Sequence, residues 1–127
     1  MRDSSADLLD ANATIKIDGL AISLPSKRVT NIDLENRMLT TADFIEERTG
    51  ILERRYVSGD ESNVSMMCDA IEKACKEAEI DLSEIDFLVV NTLSPDYHDP
   101  SQSCLIQSKL PKLSNIPAVD ILSLIHI

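Results

Sequence analysis

The sequence predicts an α/β fold in which helices cover a parallel sheet, and three segments carry that expectation. Residues 87–91, Phe-Leu-Val-Val-Asn, form an apolar run without alternation, as expected of a strand buried on both faces. Residues 117–121, Pro-Ala-Val-Asp-Ile, read as a second buried strand. From residue 64 to residue 78 the apolar positions fall at 64, 67, 68, 71, 74, 75 and 78, the three-and-four spacing of one helical face. Strands and helices that alternate in this way require right-handed crossovers.

The remaining elements follow from local signals. Residues 1–13 are small, polar and acidic, with neither the basic start nor the apolar stretch of a secretory signal, and read as a flexible N-terminal extension. Residues 14–23 alternate loosely and stop at Leu24-Pro25, which predicts a strand closed by a turn. Thr30-Asn31 offers an N-cap for a short helix over 32–38. Thr40 or Thr41 caps a second helix over 42–48, and Gly50 suits the positive-φ position that ends it. Its early acids and its late Arg48 complement the helix dipole. Residues 51–57 read as extended and carry the basic pair Arg54-Arg55; Ser58-Gly59-Asp60 closes them. On the long helix, Glu72 and Lys76 form an i,i+4 pair, while Cys68 and Cys75 lie on the apolar stripe as inert core residues. Asp99-Pro100 predicts a helix start with Pro at the first helical position; that helix reaches about Leu110, where Pro111 stops it.

Composition narrows the function classes. A chain of 127 residues suits one domain, and with 3% aromatics and no Trp its core must rest on aliphatic residues and Met. A formal charge of −10 repels nucleic-acid phosphates and anionic membranes. No apolar run reaches the length of a membrane span, and the cytoplasm, where thiols stay reduced, is the expected compartment. Cys68, Cys75 and Cys104 form no C-x-x-C pair, and His98 and His126 have no ligand-spaced partners, so no metal site is expected. Cys104 falls inside a predicted helix with no His nearby and reads as a buried residue, not a nucleophile. His98 reads as a loop residue, and Asp81, Glu84 and Asp86 as a solvated turn without a calcium loop.

Several short segments together resemble the opening of β-ketoacyl-ACP synthase III, a condensing enzyme of the thiolase superfamily. They are Leu24-Pro25, Val29-Thr30-Asn31 with Asp33-Leu34-Glu35, and Arg48-Thr49-Gly50-Ile51 followed by Glu53-Arg54-Arg55. Further on come Ile85-Asp86, Val89-Val90, Asn91-Thr92 with Ser94-Pro95-Asp96, Pro100, Cys104, Ile106-Gln107, and Pro117-Ala118 with Asp120. Each is weak alone; their order over residues 14–121 makes the match specific. The resemblance implies the first part of the N-terminal half of a layered αβαβα fold, usually homodimeric, with residues 122–127 outside it.

Chemically, the resemblance implies decarboxylating Claisen condensation in fatty-acid or related biosynthesis, with acyl-CoA and malonyl-ACP as substrates and no cofactor. A cysteine thiolate of lowered pKa takes the acyl group, and preorganised donors hold the oxyanion. The family's cysteine lies five residues beyond the Asp that matches Asp120, a position held here by Ile125, and its His and Asn lie in the C-terminal half. A chain written this way is expected to be inactive. Three binding residues carry over: Phe44 at the position of a Trp that stacks on the CoA adenine, Arg48 near the nucleotide, and Thr40 near the adenine. Without the resemblance the same residues read as core filler, a helix C-terminal charge and an N-cap. Ala21 stands where the family has a Gly, and Leu110-Pro111 where it has Leu-Gly.

Residues 122–127, Leu-Ser-Leu-Ile-His-Ile, read as a non-native tail, because the resemblance stops at Ile121 and the hexapeptide matches the translation of a transposase mosaic-end adapter. Competing readings are a specialised-metabolite synthase with an unusual starter, 3-hydroxy-3-methylglutaryl-CoA synthase, and a non-catalytic truncated paralogue that serves as a dimer partner or scaffold.

Overall fold

The structure, a computed structural model, describes residues 15–122. Strand β1 (Lys27–Thr30) leads directly into helix α1 (Asn31–Glu35), and α2 (Ala42–Thr49) follows after a turn. Strand β2 (Glu53–Tyr56) returns antiparallel to β1, with Lys27 opposite Tyr56 and Thr30 opposite Glu53. The long helix α3 (Asn63–Glu77) then leads to strand β3 (Leu88–Asn91), helix α4 (Gln102–Lys109) and strand β4 (Ala118–Ile121). β3 and β4 pair in parallel, from Leu88 beside Ala118 to Asn91 beside Ile121, with α4 as the crossover between them.

The helix boundaries have chemical causes. The Thr30 hydroxyl accepts the Asp33 N–H and the Asp33 carboxylate accepts the Thr30 N–H, a reciprocal box that starts α1. Thr41, not Thr40, caps α2 by accepting the Phe44 N–H at 3.2 Å. Gly50 ends α2 in the left-handed region at φ 68°, where a side chain would be strained, and its N–H donates to Glu46 O at 2.8 Å. Ser62 and Ser65 form the equivalent box at the start of α3.

The core lies where α3 and α4 meet one face of the parallel sheet. Val64, Cys68, Val90, Ile106, Leu110 and Leu113 form it, with Met67 and Ile71 packed against it. Burying side chains such as Ile106 and Leu113 contributes about 2 kcal/mol each. The stripe predicted on the long helix is the stripe that is buried.

Other expectations need correction. Residues 15–25 form no regular strand and join neither sheet. Contacts with α3 take the place of strand pairing: a Cβ on Gly19 would stand 2.3 Å from Ala74 O, and Ser23 Oγ donates to Asp69 Oδ2 at 2.6 Å. The first helix ends at Glu35, with Asn36 as its C-cap, short of the expected residue 38. Pro100 is not the first helical residue of α4. Ser101 is the N-cap, accepting the Cys104 N–H, and Asp120 takes the N–H groups of Gln102 and Ser103, so the helix begins at Gln102.

Strand β3 is buried on one face only: Val90 is 5% exposed and Val89 is 53% exposed, because α3 and α4 cover a single side. Cys104 is exposed, not buried. The inward positions of α4 are 102, 103, 106 and the cap residue 110, which turns position 104 outward. The i,i+4 ion pair on α3 joins Asp69 to Lys73, not Glu72 to Lys76. The expected extension over 1–13 and the nucleophile-spaced Ile125 lie outside the described residues.

Candidate functional site

The three residues singled out for nucleotide binding sit on and just before α2. Phe44 is half-exposed, and Arg48 lies one turn later with its guanidinium carbon 5.5 Å from the Phe44 ring centroid. That separation is within cation–π range. Thr40 is partly buried in the preceding turn, and its N–H donates to Met38 O at 2.9 Å. Thr40, Phe44 and Arg48 are therefore spaced four positions apart, but only Phe44 and Arg48 share a helical face. Another side of α2 is acidic: Asp43, Glu46 and Glu47 border a shallow cleft with Gly50 and Leu52. The carboxylates around that cleft oppose an anionic ligand there.

A buried polar network fixes the hairpin against the start of α1. Asn31 is 5% exposed; its Nδ2 donates to Ile51 O at 2.8 Å, and its Oδ1 accepts from Arg54 at 2.7 Å. Arg54 also reaches Val29 O at 3.3 Å. The Asn31 bond to Ile51 O ties the strand leaving α2 to α1, which restrains the two ends of the Phe44 segment. Arg28 pairs with Glu53, and Arg55 donates to Ser26 O at 3.3 Å. The basic pair Arg54-Arg55 thus serves the hairpin, whereas Arg48 meets a ring.

Sequence reasoning missed a second cluster, at the C-terminal ends of the parallel strands. Asp96 Oδ1 accepts the Asn63 N–H at 2.9 Å and Oδ2 the Val64 N–H at 2.8 Å, capping α3 from a distant loop. Asp120, in β4, accepts the N–H of Gln102 at 2.7 Å and of Ser103 at 2.9 Å. Partial burial opposes ionisation of both carboxyls, yet the amide and side-chain hydrogen bonds together outweigh it and hold both below the ordinary aspartate value. The available signal was a lone acid inside the apolar strand Ala118–Ile121, since a carboxylate there needs donors. Among the described residues, no group of three His, Cys, Asp or Glu side chains is placed to hold a metal ion, and no helix is long and apolar enough to cross a membrane.

No protein-family model matches the sequence. Curated relatives do match it. The β-ketoacyl-[acyl-carrier-protein] synthase III of Chlamydia trachomatis is 42% identical over 105 residues, 83% of this chain and 32% of the relative. That of Coxiella burnetii is 36% identical over 107 residues, 84% of this chain and 34% of the relative. The chain is a homologue of β-ketoacyl-ACP synthase III. A solved 3-oxoacyl-[acyl-carrier-protein] synthase III from Aquifex aeolicus superposes with a TM-score of 0.78 at 37% identity, covering 84% of this chain and 34% of that one. The fold is therefore the layered α/β thiolase fold of the synthase III enzymes, of which the chain spans about a third of the length.

Proposed function

We propose that the chain is the N-terminal part, residues 14–121, of a synthase III-type acyltransferase that joins acyl-CoA to malonyl-ACP by decarboxylating Claisen condensation. The observation that carries this reading is homology at 36–42% identity over about five-sixths of the chain. The half-exposed Phe44 beside Arg48 supports α2 as the coenzyme A contact: the ring offers a stacking surface and the guanidinium a partner for phosphate. Thr40 belongs to the same contact through its place before α2. The parent works in the cytoplasm as a homodimer.

Residues 1–127 alone are inactive in this reading, since Ile125 stands at the nucleophile spacing and the family's His and Asn lie in its C-terminal half. Residues 122–127 are then a foreign tail. Reading the source locus across Ile121 tests both points: the expected frame continues to a cysteine at position 125 and later supplies His and Asn. An uninterrupted frame that encodes Leu-Ser-Leu-Ile-His-Ile and then stops favours the truncated paralogue. In the full-length parent, Phe44→Ala and Arg48→Ala should each weaken acyl-CoA use by roughly 1–3 kcal/mol, read as kcat/KM. Unchanged values for both variants return these residues to purely structural roles.

A further inference from the structure

Asp96 and Asp120 belong to different segments yet meet at one buried side chain. Gln102 is fully buried. Its Oε1 accepts the Asp96 N–H at 3.2 Å, and its Nε2 reaches Asp96 Oδ2 at 3.5 Å and Met67 Sδ at 3.9 Å. Its own backbone N–H donates to Asp120 Oδ2 at 2.7 Å. Asn63, whose N–H is held by Asp96, sends its Nδ2 back to Ser94 O at 2.6 Å. A continuous set of hydrogen bonds therefore runs from the start of α3, through the loop 92–101 and the start of α4, into β4.

We propose that Asp96, Gln102 and Asp120 act as one strap, which holds the loop 92–101 as a fixed wall at the C-terminal ends of β3 and β4 and prevents it from acting as a movable lid. The place matters because α/β proteins bind ligands outside the C-terminal ends of their parallel strands. Apolar packing does little to hold this loop: Leu93 and Tyr97 are 56% and 63% exposed. Its fixation rests on the polar bonds instead. Those bonds are cooperative by construction, because losing the Gln102 amide leaves both the Asp96 N–H and its carboxylate short of a partner. The inference stands apart from the condensation chemistry and does not depend on it.

Native-state amide exchange on the whole chain tests the strap, with Gln102→Leu as the closest replacement lacking the amide. Ser101→Ala serves as a control that removes the cap of α4 and the hydroxyl contact to Ser103, leaving the Gln102 amide in place. Gln102→Leu should accelerate exchange about tenfold or more at Asn63 and Val64 as well as at position 102 and Ser103, whereas Ser101→Ala acts on α4 alone. Acceleration by Gln102→Leu confined to α4 overturns the proposal. Should the Leu variant not fold, backbone ¹⁵N relaxation of the unsubstituted chain decides. Order parameters for residues 94–99 near those of α3 and α4, about 0.85, support a fixed wall, and values below about 0.6 refute it.

Discussion

Cys68 and Cys75 fall on the apolar stripe of α3, and both are buried. Burial pushes both thiols above the ordinary cysteine value, Lys109 opposing it at Cys68 and Asp81 adding to it at Cys75, so neither is a thiolate near neutral pH. Cys104 instead faces solvent. A maleimide applied to the native chain should modify one thiol, at Cys104, and reach the other two only after denaturation; mass mapping of the labelled peptide checks this. Equal labelling of all three thiols would contradict the packing of α3. The stripe on α3 was legible because fifteen residues give the apolar period several repeats. Helix α4 has eight residues and buries Gln102 and Ser103, polar groups chosen by tertiary hydrogen bonds, so its inward face could not be found by counting apolar positions.

At the scale of elements, local chemistry marked several helix ends, although it overran the end of α1 at Glu35. Thr30, Thr41, Gly50 and the stop at Pro111 all act within a few residues of the helix they delimit. The start of α4 was misplaced because part of its capping comes from Asp120, seventeen and eighteen residues away. Likewise, residues 14–23 have the alternation of a strand, but alternation does not say which edge will accept it. Long-range caps also predict a pH dependence. Asp96 and Asp120 have folded-state pKa values below their unfolded ones, so their stabilisation is complete above the unfolded value of about 3.9 and is lost as pH falls through the folded values. Asp120→Asn should lower stability at pH 7 by about 1 kcal/mol and flatten the loss of stability below pH ~4. Denaturant titrations between pH ~2 and 7 measure both effects. An acid limb as steep in the variant as in the parent chain removes Asp120 from this role.

The whole molecule leaves apolar surface uncovered in a pattern its local structure does not explain. Ile15, Ile17, Leu20 and Ile22, all within one short segment, are each at least 70% exposed. On the open face of the parallel sheet, Val89 and Val119 are register partners, 53% and 41% exposed. Single exposed aliphatics are ordinary, but four in one segment and a bare pair on a sheet face leave apolar surface available for contact. In synthase III relatives three times as long, other parts of the chain are available to supply it. Each such residue returned to a buried site would contribute about 2 kcal/mol, a large fraction of a small domain's stability. The purified chain should therefore bind an environment-sensitive dye such as ANS and associate with rising concentration, as sedimentation velocity would show. Val89→Lys with Val119→Lys should reduce both signals without changing helix content by circular dichroism, since neither side chain belongs to the buried cluster around Ile106. If the unsubstituted chain stays monomeric at about 100 μM and binds no dye, this apolar surface is covered in solution and the prediction fails.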